Sequence, residues 1–180
     1  MNKNNVLKST LLIIVLTVSL LSPLSFASAY NKTSAENYLK AHSNLGWSTM
    51  ALTALNSSGV SIDYLKTFSA TKAIDYTKPI LAITSTGADP RNFGNEDLIA
   101  KLKSFYSENQ IGDKTTVNDD IFGILALLSS GELNTDAIIE NSKKFIFEKQ
   151  NADGGWGYAT EAASDSNTTA SAIVDQPKFE

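Results

Sequence analysis

The feature that most constrains this chain is a phrase it repeats: an apolar, Ala- and Leu-rich segment that runs into a small-residue turn ending in glycine. It occurs as Ala51-Leu52-Thr53-Ala54-Leu55-Asn56-Ser57-Ser58-Gly59, as Ile80-Leu81-Ala82-Ile83-Thr84-Ser85-Thr86-Gly87, and as Ile124-Leu125-Ala126-Leu127-Leu128-Ser129-Ser130-Gly131. A fourth copy begins at Thr169-Ala170-Ser171-Ala172-Ile173. Glycine enters the left-handed conformation without steric cost, so each phrase predicts a helix that closes just before its glycine.

After each glycine comes a second segment with apolar residues at helical spacing and charged residues between them: Tyr64-Leu65-Phe68, Leu98-Leu102-Phe105 and Ile138-Ile139-Phe145-Ile146. The first kind of helix is apolar nearly all round and suits an enclosed position, while the second has one solvated face. The unit is thus an inner helix paired with an outer one. The outer aromatics Tyr64, Phe105 and Phe145 lie 41 and 40 residues apart, a spacing typical of helical-hairpin repeats that bury their faces by stacking. A shortened earlier outer helix is expected around Ala35 to Ala41, with Tyr38. No strand-like alternation of useful length is present.

The start of the chain reads differently. Lys3 and Lys8 give a positive region, Leu11 to Leu21 an apolar stretch, and Ala27-Ser28-Ala29 a small-residue cleavage site, so residues 1–29 are expected to be a secretory signal peptide and residues 30–180 the mature domain. The apolar run is about half of the roughly 20 residues that cross a bilayer, and no later stretch is apolar enough to span, so no transmembrane segment is expected in the mature chain. The expected location is outside the cell or at its surface.

With no cysteine, the chain has no disulfide, thiolate metal site, cysteine nucleophile, internal thioester or lipidated cysteine. Removing Lys3 and Lys8 from 15 basic residues leaves 13 against 19 acidic ones, a charge of about −6 that disfavours nucleic acid and anionic membranes as partners.

The segment Phe145-Ile146-x-x-x-Gln150-x-x-x-Gly154-x-Trp156 matches the QW repeat at each defining position, and Asp153-Gly154-Gly155-Trp156-Gly157 is the form widespread among α/α-toroid proteins. Two degenerate copies accompany it: Phe105-Tyr106-x-x-x-Gln110-Ile111-Gly112 lacks the tryptophan, and Tyr38-Leu39 followed by Leu45-Gly46-Trp47 lacks the glutamine. On these motifs, over roughly residues 35 to 173, the chain resembles the prenyltransferase and squalene-cyclase-like α/α-toroid repeat proteins of the terpene cyclase superfamily, in an exported bacterial form. The resemblance implies an all-α fold of stacked hairpins. It also implies that Gln150 ties the end of an outer helix to the start of the next inner one, with Trp156 stacked against it. A closed toroid needs about five to seven hairpins, and this chain holds about three and a half, so an incomplete toroid or open arc, truncated at its C-terminal side, is expected. Its exposed repeat ends would invite self-association.

In that family the middle aspartate of a DxDDTA motif protonates an alkene. Asp165-Ser166-Asn167-Thr168-Thr169-Ala170 keeps the first aspartate and the closing Thr-Ala, but Asn167 occupies the donor position and an amide cannot supply that proton. Val117-Asn118-Asp119-Asp120-Ile121-Phe122 keeps the aspartate pair alone. Asp119 and Asp120 are therefore the weak candidates for an acid, and the plainer reading makes them N-terminal capping residues of the inner helix, as are Asp165 and Asn167 in the next one. A prenyltransferase zinc site needs cysteine and histidine, and with His42 as the single histidine neither it nor a Ser-His-Asp site can be assembled. A calcium loop starting at Asn151 would put Trp156 and Ala162 where glycine and an acid are required. Neither a metal nor any other cofactor is expected. The sequence thus points to a non-catalytic exported domain that binds a small ligand or a cell-surface protein, with a terpene-cyclase-like enzyme or a fragment of one as the alternative.

Intact-mass measurement of the exported product is expected to find Tyr30 at its N-terminus; a product that retains residues 1–29 would contradict the leader assignment.

Overall fold

The computed structural model describes residues 31–42 and 46–175, so the expected leader, Leu45 and the last five residues lie outside it. Seven α-helices are present among the described residues: α1 (Lys32–Ala41), α2 (Gly46–Ala54), α3 (Ala73–Ser85), α4 (Leu98–Lys103), α5 (Asn118–Ser129), α6 (Ala137–Glu148) and α7 (Ser166–Asp175). A two-stranded antiparallel hairpin, β1 (Tyr106–Ser107) and β2 (Gln110–Ile111), sits between α4 and α5. None of these helices is long and apolar enough to cross a membrane. The chain separates into residues 1–35 and 36–180, and the packing below lies within the second unit.

The apolar phrases do form helices, and those of α3 and α5 are enclosed, while Ile173 of α7 is exposed. α2 packs on α3, α3 on α5 and α5 on α7, in one row. Behind this row α4 packs on α3 and α6 on α5. Ile80 and Ile83 of α3 and Ile121, Ile124 and Leu127 of α5 are fully buried, together with Leu102 of α4 and Ile139 and Ile146 of α6. Each such side chain contributes about 1.5–3 kcal/mol by leaving water. The equally buried Ala82 and Ala126 keep the core side of α3 and α5 slim.

Two inner helices end as the glycines predict. Ala88 N–H donates to the Ile83 carbonyl and Gly87 N–H to Thr84; Glu132 N–H donates to Leu127 and Gly131 N–H to Leu128. With φ of 81° at Gly87 and 89° at Gly131, both are Schellman closures. In α2 the same role falls to Asn56, not Gly59: Asn56 has φ of 52°, its N–H donates to Thr53, and Ser57 N–H donates to Leu52. Asparagine tolerates the left-handed region better than other non-glycine residues, so the closure comes three residues early.

The outer helices are less regular than their spacing predicts. Only a 3-10 turn, Asp63–Leu65, forms around Tyr64. The β-branched and hydroxyl residues about it (Val60, Ser61, Thr67, Ser69) are poor helix formers. α4 stops at Lys103, which leaves Phe105 outside it, and Glu108 and Asn109, both left-handed, then turn the hairpin. α6 matches its expectation and is capped by the Asp136 carboxylate, which accepts from Ile138 N–H. Glu132, just past α5, ties in the loop after α3 and the end of α4, accepting from Arg91 at 2.5 Å and Lys103 at 2.6 Å.

The QW segment is a packed joint. Trp156 is 4% exposed, and its indole N–H donates to the Ile146 carbonyl in the last turn of α6 at 2.7 Å. Its own N–H donates to Thr169 Oγ1 in α7 at 3.0 Å, and its carbonyl accepts from Asp165 N–H. Asp165 caps α7 by accepting from Thr168 N–H, which lowers its pKa; Asn167 is exposed. Gln150 corrects the family expectation: it is exposed, and its amide donates to the nearby Gly154 carbonyl at 2.8 Å, so the tryptophan and not the glutamine joins outer helix to inner helix. Phe145 is half-buried beneath Lys149, whose ammonium lies 5.5 Å from the ring. Asp153 Oδ1 accepts from Gly155 N–H and from the Ser164 hydroxyl, which folds the loop back on itself. The approach is so close that a Cβ on Gly155 would meet Ser164 at 2.7 Å, and one on Gly157 the Ala162 carbonyl at 2.5 Å.

The degenerate copy repeats this joint with other residues. Gln110 Nε2 donates to the Gly112 carbonyl at 3.0 Å, as Gln150 does to Gly154, and both glycines are left-handed. Fully buried Ile111 precedes its glycine where Trp156 follows it, but its N–H likewise donates to the next helix, to Asp120 of α5 at 2.7 Å, as Trp156 N–H does to Thr169 of α7.

Trp156→Ala is expected to lose about 3–5 kcal/mol, the range for deleting a buried aromatic. Gln150→Ala, which removes one exposed hydrogen bond, should lose under about 1 kcal/mol. Chemical denaturation of both variants checks this; equal losses would mean that the glutamine carries the joint after all.

Candidate functional site

Asp119 and Asp120 lie in the first turn of α5, yet neither caps it: the N-cap position is Val117, which makes no side-chain cap. The capping expectation is corrected here. Both carboxylates reach back to the preceding loop, where Asp119 Oδ2 accepts from Asp113 N–H at 3.0 Å and Asp120 Oδ1 from Ile111 N–H at 2.7 Å. The loop needs acceptors because its own strands are only two residues long. Gly112 fits against Asp119 so closely that a Cβ there would collide with the carboxylate.

Asp120 is completely buried. Its Oδ2 and the buried Ser142 hydroxyl of α6 have no hydrogen-bond partner of good geometry, although the hydroxyl lies near enough to lower the carboxyl pKa. Burial outweighs this and the Ile111 bond and, with a smaller push from Asp119, raises the Asp120 pKa to about 7. Burial also raises Asp119. Asp119 borders a cleft of about 330 Å³ with Phe105, Asp113 and Tyr158, while Asp120 and Trp156 open onto none of the described cavities.

The larger concavity lies elsewhere, at the N-terminal ends of α2, α3 and α5. It is a groove of about 750 Å³. Gly46 and Trp47 enter it from α2, Ile74, Asp75 and Lys78 from α3, and Asn118 and Phe122, one turn apart, from α5. The loop of Tyr64, Phe68 and Ala70 closes one side. That loop is held in place: Tyr64 Oη shares a hydrogen bond of 2.9 Å with Thr49 Oγ1, Tyr76 Oη donates to the Ala70 carbonyl at 3.0 Å, and Phe68 meets Tyr76 edge-on at 5.5 Å. Trp47 is 56% exposed and stands edge-to-face on Phe122 at 6.3 Å.

Of the residues singled out from the sequence, Trp156, Thr169 and Asp165 come together in one joint and Asp119 and Asp120 in another, neither of them at the groove. The groove residues were missed as a set. Trp47 was legible only as part of a broken motif, and Asn118 and Phe122 only as neighbours of the aspartates.

No protein-family model matches the chain, and no curated protein and no solved structure is significantly similar to it.

The buried carboxyl has a consequence for pH. Because the folded pKa is raised from 3.8 to about 7, the folded chain keeps a proton that the unfolded chain releases, so this group's stabilisation is full below about pH 4 and is lost as pH rises through about 7. A shift of this size corresponds to at most about 4 kcal/mol. Carboxylates with depressed values, such as Glu132 and Asp136, act at lower pH and with the opposite sign. Urea midpoints are expected to fall between pH 5 and pH 8 in the native chain and to fall markedly less in Asp120→Asn, where Asp119 is still present. A native midpoint that rises over that window would contradict the buried, protonated carboxyl.

Proposed function

We propose that the chain is an exported, non-catalytic helical-repeat domain of the α/α-toroid type, an open arc of hairpins, and that the groove at the inner-helix N-termini is its ligand site. One observation carries this reading: a large indole, Trp47, stays half exposed over a groove whose walls are fixed by hydrogen bonds from Tyr64 and Tyr76. A volume of about 750 Å³ and aromatic walls with a few polar groups are the ordinary attributes of a small-molecule site. The repeat reading is supported by the two joints that use the same glutamine-to-glycine bond and the same backbone donor into the next inner helix. The exposed apolar side chains Ile173 and Val174 on α7 support self-association through that helix.

The alternative, a terpene-cyclase-like enzyme or fragment, would use Asp119 or Asp120 as its acid. Its support is their raised pKa. Both carboxylates are already engaged by backbone donors, and the acid that does line the groove, Asp75, is exposed.

Ligand-observed NMR screening of the mature chain with a small-fragment library is expected to return binders that vanish in Trp47→Ala and persist in Asp119→Asn. Because Trp47 is half exposed, the first variant should keep its helical circular dichroism. Binders sensitive to Asp119→Asn but not to Trp47→Ala would move the site to the smaller cleft and favour the enzyme.

A further inference from the structure

We propose that the ligand of the Trp47 groove is a neutral oligosaccharide; this rests on the groove being a ligand site, as argued above. Besides its aromatic walls the groove carries Ser69, Thr71, Asp75, Lys78 and Asn118. None of these side chains makes a hydrogen bond or ion pair with another described residue, whereas Thr77 beside them is committed to the Ile74 carbonyl. Pro79, also in the wall and inside α3, supplies no N–H to the Asp75 carbonyl, which therefore lacks its helical donor.

A ligand that fills the groove would meet these five polar side chains, donors and acceptors both, at once. Asn118, Ser69 and Thr71 both donate and accept, Lys78 only donates, and Asp75 only accepts. One acid and one base leave the groove neutral overall, so neither an anion nor a cation is favoured. A plain hydrocarbon chain is disfavoured for a separate reason: each polar group it buried without a partner would cost about 1–3 kcal/mol. A planar heteroaromatic would cover Trp47 but bring too few hydroxyl-like groups for the rim.

A pyranose ring meets both demands. One face presents C–H groups, which the electron-rich face of an indole attracts. Its edge presents hydroxyls that donate and accept in turn. Trp47 is 56% exposed and meets Phe122 edge-to-face, and the polar side chains line the same groove.

The test is tryptophan fluorescence of the mature chain titrated with maltotriose, cellotriose and chitotriose, with farnesol as an apolar control. Trp156 is buried and held by Ile146, so a spectral change reports Trp47. We expect at least one trisaccharide to shift the emission with a Kd of about 1 mM or tighter. Calorimetry should then show that Trp47→Ala abolishes binding and that Asn118→Ala weakens it at least fivefold while leaving the circular dichroism unchanged. Farnesol binding that depends on Trp47, with no response to any of the three sugars, would overturn the saccharide assignment and keep the groove as a site. Silence toward both probe classes would overturn the groove reading as well.

Discussion

The arrangement rests on one kind of joint: a backbone N–H just past an outer helix, donated to a side-chain oxygen in the first turns of the next inner helix. At one joint the donor is Trp156 and the acceptor Thr169; at the other they are Ile111 and Asp120. Inner helices as apolar as α3 and α5 offer little to fix their rotation or their height along the row, since burial energy is non-directional. A directional bond at a defined turn supplies that information. The buried residue that carries the donor, indole or isoleucine, seals the bond from water, and the glutamine amide closes the loop beneath it.

The two joints differ in what they cost. Thr169 offers a neutral hydroxyl, while Asp120 brings a carboxyl into a fully buried position and is driven toward its protonated form. A buried polar group stabilises only when all of its capacity is used, and Oδ2 and the Ser142 hydroxyl fall short of that. The degenerate joint is thus the weaker one, and a tryptophan-bearing loop is the better solution to the same geometric problem.

Much of the inner row was legible because a run such as Ile80 to Ile83 or Ile124 to Leu128 has one low-energy fate, and the glycine after it fixes the end. The outer elements were less legible because an apolar pair at helical spacing, Tyr64 and Phe68, says nothing about whether the hydroxyl and β-branched residues between and around them will hold a helix. Asp119 and Asp120 were misjudged for a related reason. Position in the first helical turn suggests capping, but their partners, Asp113 and Ile111, precede the helix and come within reach only through the hairpin turn at Glu108 and Asn109. The groove escaped notice because Trp47, Phe68 and Phe122 belong to different units and share no motif.

The placement of groove and joints also separates two kinds of constraint. The joints lie where outer helices hand over to inner ones, and their residues are buried and mutually dependent. The groove is formed by side chains at the N-terminal ends of α2, α3 and α5, where Asp75, Lys78 and Asn118 make no side-chain hydrogen bond or ion pair with another described residue. An exposed indole, an unpaired acid and an unpaired base placed together give the fold little: the indole keeps apolar surface in water, and surface charges without partners add almost nothing to stability. Their placement in one groove is what the proposed ligand site rests on.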